Sequence, residues 1–561
     1  MRRLFSTAAL FSLLFLAGCG NGGEMAIDMA VAEPAAEAID TEDMMRHVGR
    51  LAADAFGGRA PASAGEDSTI AYLTEQFQAL GLEPGNPDGS WTQPVTLVGI
   101  RSQGTGAIDV NGQPVRLSDP DEFIGWSYRD APSVDVNESE LIFVGYGVDA
   151  PEYGWDDYAG RDMTGKTLVM LVNDPPVRLE GDPDALDPAM FNGEAMTYYG
   201  RWTYKYDVGA AKGADAVIIV HETEPAGYPW SVVTGSWGGE NFDIVSEGGA
   251  EPLKVEAWIT REKAEELFAA AGYDFEEMKA AARTQDFEPV SLGATADFEV
   301  EMTRRAVDSR NVAAKVVGSE RPDEYVVYTA HWDHLGTDPS IEGDSIYNGA
   351  MDNATGTAGL LELAEAFMAL PTPPSRSILF LAVTAEEQGL LGAKYYAENP
   401  LYPLDRTLAN INIDGLNTWG PTEDVVVIGY GSSSLEETLH TYARTQDRTL
   451  TPDPESEKGF YYRSDHFEFA KQGVPALYID TGTRFEGRSA EWGEQKREEF
   501  TENDYHKPSD EIKEDWDLSG AVEDLRLTFL VGYDVAETGT WPTWNEGSEF
   551  RAAREAMLDG Q

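Results

Sequence analysis

Three apolar runs in the second half of the chain each stop at side chains that can bind a metal ion. Runs that are apolar throughout predict strands covered by helices on both faces, as in an open α/β sheet. At such a sheet, ligands bind just beyond the carboxyl ends of the strands. The runs and the side chains that follow them are 325–329 before His331, 378–383 before Glu386 and Glu387, and 408–413 before Asp414.

Two further residues complete the candidate set. Asp352 follows a loop and precedes a predicted helix, a pattern that in isolation is typical of a turn and a helix cap. His506 lies in the polar loop 504–511, where a histidine is either exposed or functional. The chain has only seven histidines, so two of them in this pattern are not expected by chance. Together the five metal-type groups and a spare carboxylate predict a hydrolytic site with two metal ions.

Each carboxylate suits a different task in such a site. The two oxygens of Asp352 can bridge two ions, while Glu387 binds one ion and Glu386 stays free as general base. In an extended His331-Trp332-Asp333 the first and third side chains lie on one side. Asp333 can then accept the proton on the far nitrogen of the imidazole. His334 remains open as a competing ligand.

Composition limits the class of protein. The 561 residues exceed what one core usually serves, so two folded units and a leader are expected. The net charge of −58 argues against nucleic acid as a partner, because phosphate binding needs clustered lysine and arginine. The acidic balance is typical of a strongly solvated surface, suited to a salty medium; an acidic binding function is the alternative.

The first residues predict export. Arg2 and Arg3 precede an apolar run that is too short to span a bilayer, and the string from Leu16 to Cys19 resembles a bacterial lipobox. We therefore expect a signal peptide over 1–18, a lipid anchor at Cys19 and attachment to the bacterial cell envelope. An ordinary signal peptide with an incidental cysteine is the alternative. No later segment offers eighteen uninterrupted apolar residues, so the body would be held at the membrane only through this anchor.

These motifs together resemble one family of enzymes. They are similar to the co-catalytic dizinc exopeptidases of family M28, which include bacterial leucyl aminopeptidase, aminopeptidase Y and glutamate carboxypeptidase II. The resemblance covers about 300–540 and, weakly, 42–100. It lies in the segments 331–336, 348–359, 383–392, 410–415 and 504–510.

The resemblance implies a ligand set for two zinc ions. One ion would be held by His331 and Asp414, and the other by Glu387 and His506, with Asp352 bridging. Glu386 would be the general base toward a hydroxide between the ions. The family also implies a cis peptide after Asp352.

Two more segments have family counterparts. The resemblance gives Tyr505 the task of holding the oxyanion, as in the carboxypeptidase branch. The run 464–467 resembles a segment near the substrate pocket, with a helix N-cap as the alternative. The middle region resembles a protease-associated domain, a β-rich insert beside the active site.

The expected fold is a three-layer α/β/α exopeptidase domain with a mixed central sheet, interrupted by this β-rich insert. Its predicted divisions are a signal peptide 1–18, a flexible acidic tether 19–41, the first part of the peptidase domain 42–137, the insert 138–292, the dizinc domain 293–540 and a tail 541–561.

The predicted function is removal of N-terminal residues from peptides by a zinc aminopeptidase. A carboxypeptidase of the glutamate-releasing type is the first alternative and would need arginines for a terminal carboxylate, for which Arg463, Arg484 and Arg488 are available. An inactive binding ectodomain is the second alternative. Peptides are the expected partners, and the oligomeric state stays open.

Overall fold

The computed structural model describes residues 27–244 and 251–559. The predicted signal peptide and Cys19 lie outside these residues. Among the helices that the structure describes, none combines the length and the apolar character needed to cross a bilayer.

The helices follow the apolar spacing of the sequence. In α3, for example, Ser63 caps the first turn, Ile70, Leu73 and Phe77 are buried at helical spacing, and Gly81 ends the helix in the left-handed region. The α-helices are α1 Met29–Ala36, α2 Thr41–Leu51, α3 Ala64–Leu80, α4 Trp202–Ala211, α5 Thr223–Ala226, α6 Trp230–Trp237, α7 Arg261–Ala270, α8 Phe275–Ala281, α9 Gly356–Ala369, α10 Leu391–Glu398, α11 Leu435–Ala443, α12 His466–Lys471, α13 Ala490–Asn503, α14 Ser519–Glu537 and α15 Arg551–Asp559.

Most strands of the described residues join one large mixed sheet. The strands are β1 Glu83–Pro84, β2 Thr92–Val110, β3 Gln113–Arg116, β4 Phe123–Trp126, β5 Ser133–Phe143, β6 Asp149–Ala150, β7 Trp155–Asp156, β8 Thr167–Leu171, β9 Arg178–Leu179, β10 Asp182–Leu186, β11 Ala216–His221, β12 Glu240–Ile244, β13 Val255–Thr260, β14 Val290–Val316, β15 Arg321–His331, β16 Gly336–Thr337, β17 Ile346–Tyr347, β18 Arg376–Val383, β19 Thr407–Asn412, β20 Asp424–Ile428, β21 Thr449–Pro452 and β22 Ala476–Asp480.

The second half of the chain forms the predicted three-layer α/β/α domain. Strands β18, β15, β19 and β22 run parallel at its centre, and β14 and β20 flank them antiparallel. Alternate residues of β18 enter different cores: Phe380 faces helices such as α9 and α14, whereas Leu379 and Leu381 face α10 and α12. This two-sided burial is why the strand is apolar throughout.

The middle of the chain has its own core, between residues 100 and 302. Its strands β5, β8, β11 and β13 are parallel, and β4 closes the edge antiparallel. The structure begins this unit earlier than the predicted boundary at 138, because Ile100, Ile108 and Phe123 already pack in its core. The earlier start of this unit is not evident from the sequence, since β2 alternates exposed and buried residues and contains several glycines.

The beginning of the described chain also differs from the prediction. A flexible tether was expected over 19–41, but α1 occupies Met29–Ala36, and Ala32, Ala35 and Ile39 are buried against the peptidase core. The prediction is therefore wrong for 27–41. Alanine is a strong helix former that can bury its whole side chain, so an alanine-rich stretch is not a sufficient sign of a linker.

Candidate metal centre

The strands bring the predicted groups to one edge of the sheet. His331 is the last residue of β15 and pairs with Val383, the last residue of the parallel β18. Glu386 follows β18 by three residues, and Asp414 follows the parallel β19 by two. Carboxyl ends of neighbouring parallel strands meet at the same edge, so these side chains come together, as the sequence predicted.

Asp352 lies between two histidines and offers one oxygen to each. Its Oδ1 is 3.3 Å from Nε2 of His331, and its Oδ2 is 3.2 Å from Nε2 of His506. Asp414 Oδ1 lies 3.1 Å from the same nitrogen of His331, and Glu387 Oε2 lies 3.0 Å from that of His506. The five predicted ligands thus form two overlapping groups that share Asp352.

The adjacent glutamates differ in how firmly they are held. Both oxygens of Glu387 have partners, because His334 Nδ1 lies 2.6 Å from Oε1 while His506 reaches Oε2. Among the described residues no hydrogen bond reaches the carboxylate of Glu386; its Oε2 lies 3.9 Å from His331. Glu386 is therefore the carboxylate that is free to exchange a proton. His334 also has ligand atoms within 4.8 Å of those of Asp352 and Glu387.

Asp333 is fully buried beside His331 but holds a different group from the one expected. Its carboxylate is 3.9 Å from Nδ1 of His331, too far for a hydrogen bond, and instead accepts a hydrogen bond from the backbone N–H of Glu386 at 3.1 Å. The backbone oxygen of Asp333 lies 3.2 Å from His331 Nδ1. The residue thus positions both neighbours, the imidazole through its carbonyl and the glutamate through its side chain.

The electrostatics of the pocket favour added positive charge. Burial alone would lower the pKa of His331, but Glu386 and Asp414 outweigh it and raise the pKa well above its ordinary value. At His506 lost hydration also lowers the pKa, and Glu387 and Asp352 then raise it to about 10. Imidazole and carboxylate donors at this spacing are the ligands that zinc takes in proteins, so the residues fit divalent cations.

Residues of neighbouring loops hold Asp414 and the backbone at Asp352 through hydrogen bonds. Ser464 donates a hydrogen bond to Asp414 Oδ2 at 2.5 Å, whereas Asp465, the residue before α12, makes no side-chain capping bond. Ser464 of the run 464–467 thus contacts a predicted ligand, and the alternative of a side-chain cap at Asp465 is not observed. Asp510 accepts hydrogen bonds from the backbone N–H groups of Met351 and Asp352. The peptide bond after Asp352 is cis, as the family resemblance implied.

Tyr505 reaches the site from the loop of His506. Its ring stacks on the imidazole of His506, with 3.9 Å between the centroids. Loss of hydration, and then the charges of Asp352 and Glu387, raise the pKa of the phenol well above its usual range. The residue keeps 44% of its surface exposed, so solvent moderates this effect.

Arg59 connects the two turns that carry His331 and Asp352, a role that no local sequence pattern indicates. Its fully buried guanidinium donates hydrogen bonds to four backbone oxygens, those of Leu51, Trp332, Asn348 and Gly349. Two of these oxygens lie in the turn before Asp352, and a third belongs to the residue after His331. Two consecutive glycines precede Arg59, and both lie in the left-handed region.

We expect Arg59→Ala to lower the free energy of unfolding by about 3–5 kcal/mol, because it removes four hydrogen bonds to buried backbone oxygens, of which that of Gly349 keeps the N–H of Ala354 as a donor. Chemical denaturation followed by tryptophan fluorescence measures this. Arg116→Ala, at an exposed position in β3, is the control and should change stability by less than about 0.5 kcal/mol. Equal stability of the two variants would contradict the role given to Arg59.

Comparison with known proteins supports the family resemblance. Residues 311–530 match the family model described as peptidase family M28. A probable zinc metalloprotease of Pyrenophora teres f. teres is 38% identical over 109 residues, which are 19% of this chain and 23% of that protein. Aminopeptidase YwaD of Bacillus subtilis is 27% identical over 217 residues, which are 36% of this chain and 41% of that protein.

The solved structure of an aminopeptidase from Aneurinibacillus sp. strain AM-1 aligns over 91% of this chain and 97% of its own, with a TM-score of 0.49 and 17% identity. The chain spans about a quarter of the length of the first curated relatives that it matches. The matched segment contains His331, Asp352, Glu387, Asp414 and His506. The chain therefore contains, over residues 311–530, a domain of peptidase family M28.

Proposed function

We propose that the protein is a zinc-dependent aminopeptidase that removes N-terminal residues from peptides. The position of Asp352 carries the proposal, since its two oxygens face two different histidines. A carboxylate so placed can serve two metal ions at once. The aminopeptidases among the relatives support the choice of reaction.

Two zinc ions fit the two groups that share Asp352. His331 and Asp414 would hold one ion, and Glu387 and His506 the other. When bound, zinc supplies the positive charge that polarises a carbonyl and lowers the pKa of water. The further tasks belong to residues of the chain.

Glu386 moves the proton in this scheme. Its carboxylate takes a proton from the attacking water and returns it to the leaving amine. Asp333 supports this by holding the backbone N–H of Glu386. Tyr505 donates a hydrogen bond from its phenol to the oxygen that becomes negative in the transition state. The stacking of the Tyr505 ring on the imidazole of His506 supports this role.

The remaining regions have proposed roles as well. The parallel β5, β8, β11 and β13 support a protease-associated unit beside the site, with the earlier boundary described above. The residues from Arg2 to Cys19 support export and attachment of the protein to the bacterial cell envelope through a lipid.

Substrates with a free amino group and substrates with a blocked one distinguish the candidate activities. With zinc present, the purified protein should release p-nitroaniline from aminoacyl-p-nitroanilides and leave the N-acetylated analogues intact. Release of C-terminal residues from N-blocked peptides, without hydrolysis of the free-amine substrates, would instead make the protein a carboxypeptidase. If zinc binds and neither substrate class is hydrolysed, the aminopeptidase proposal fails and a binding protein remains.

A further inference from the structure

His334, which the sequence leaves open as a competing ligand, lies beside the second of the two proposed ion positions. Its imidazole is fully buried, and Nδ1 lies 2.6 Å from Oε1 of Glu387. The other oxygen of Glu387, Oε2, lies 3.0 Å from Nε2 of His506. Two histidines thus contact the two oxygens of one carboxylate, and the roles of these histidines need not be the same.

The distance between two side-chain atoms distinguishes a pair of metal ligands from a hydrogen bond between them. Zinc bonds to nitrogen and oxygen are about 2.0–2.1 Å long, so two ligand atoms of one tetrahedral zinc ion lie about 3.3 Å apart. Asp352 lies 3.3 Å from His331 and 3.2 Å from His506. The distances are 3.1 Å from His331 to Asp414 and 3.0 Å from His506 to Glu387. These four contacts leave room for an ion that binds both atoms.

The contact between His334 and Glu387 is different. At 2.6 Å it is too short for two atoms bound to the same zinc ion, and it has the short length of a charge-assisted hydrogen bond. An ionised carboxylate accepts hydrogen bonds, so Nδ1 of His334 donates, and a protonated nitrogen has no lone pair for a metal ion. The Nε2 atom is buried and has no hydrogen-bond partner among the described residues. The contact with Glu387 is therefore the hydrogen bond that the imidazole makes.

Close packing fixes the ring of His334. A methyl group on Gly349 would come within 2.5 Å of Cγ and 2.6 Å of Cδ2 of the imidazole, so the backbone of this glycine lies against the ring. Gly349 has a φ of 52°, and its carbonyl oxygen accepts a hydrogen bond from Arg59. The ring of His506 lies edge-on to that of His334, with 5.9 Å between the centroids. Protein atoms alone thus hold the imidazole against Glu387.

We propose that His334 is a positioning residue of the metal centre and not a ligand. Its Nδ1–H holds Oε1 of Glu387, so that Oε2 alone faces the ion shared with His506. The inference rests on the zinc centre of the proposed function. Without this hydrogen bond, Oε1 would be left buried without a donor and the carboxylate would be free to rotate. Groups that orient a metal ligand in this way contribute about 10- to 100-fold to metal affinity.

The zinc affinity of three variants tests this role. His334→Phe keeps a ring but removes the donor, and it should weaken the binding of one of the two zinc ions about 10- to 100-fold while the other ion is held almost as tightly as before. His334→Asn places an amide N–H near the position of Nδ1 and should restore most of the lost affinity. His440→Asn, at an exposed position of α11, is the control and should bind both ions like the unmodified protein. Competition with a chromophoric chelator, together with zinc content by elemental analysis, measures the affinities.

An unchanged zinc affinity in His334→Phe would overturn the proposal. The same holds if His334→Asn binds zinc as weakly as His334→Phe, because an amide replaces a hydrogen-bond donor but not an imidazole ligand. If circular dichroism shows that His334→Phe does not fold, His334→Ala takes its place in the comparison. An unmodified protein that binds no zinc would overturn the metal centre and this inference with it. Two bound ions with the expected order of the variants, but no hydrolysis of aminoacyl-p-nitroanilides, would support the role of His334 and overturn the aminopeptidase function alone.

Discussion

Replacing Glu386 by glutamine should lower kcat for leucine p-nitroanilide by about 10²- to 10⁴-fold, the usual contribution of a general acid–base group. Glutamine keeps the size of the side chain but cannot take the proton of the attacking water. Because no hydrogen bond of the described residues reaches the Glu386 carboxylate, the substitution should leave the neighbouring side chains in place. Steady-state kinetics, together with zinc content by elemental analysis, measure both effects.

Glu387, the residue after Glu386, provides the matched comparison for this substitution. Glu387→Gln should lose zinc as well as activity, because His334 and His506 hold both oxygens of Glu387 at the proposed ligand position. Glu398→Gln, at an exposed position at the end of α10, should change neither quantity. The division of roles would be wrong if Glu386→Gln kept more than a tenth of the activity, or if it lost zinc as readily as Glu387→Gln.

Zinc should stabilise the folded protein strongly. Several carboxylates share this pocket, and their repulsion is relieved when cations bind. A ligand at a thousand times its Kd adds about 4 kcal/mol to the stability of the folded state when it binds only that state. We therefore expect Tm to rise by several degrees between protein treated with a chelator and protein with added zinc. Differential scanning calorimetry measures the shift.

A variant of Asp352 tests whether the zinc-dependent rise in Tm depends on the predicted metal centre. Asp352→Asn should lose most of the zinc-dependent rise in Tm, because both proposed ion positions share this carboxylate. Asp323→Asn, in an exposed part of β15, should keep the full rise. A Tm that does not change with zinc in the unmodified protein would argue against a metal centre at this position.

The sequence predicted the parts of the site that depend on local order. His331, Glu386 and Asp414 were found because each follows an apolar strand, and parallel strands place their carboxyl ends together. The role of Arg59 could not be predicted, since its partners Trp332 and Gly349 lie more than 270 residues away in the chain. No local sequence pattern indicates such distant contacts.

The early start of the middle unit could not be predicted from the chain alone. Strand β2 has one exposed face, so its burial depends on the strands it pairs with.

The pairing of β2 with β14 has a mechanical consequence. The ladder between them runs without a break from Thr92 and Val312 to Val110 and Ala294, and thus passes from one unit into the other. Swinging the middle unit away from the peptidase domain would require bending or breaking this ladder of backbone hydrogen bonds. The long ribbon therefore opposes a hinge motion between the two units.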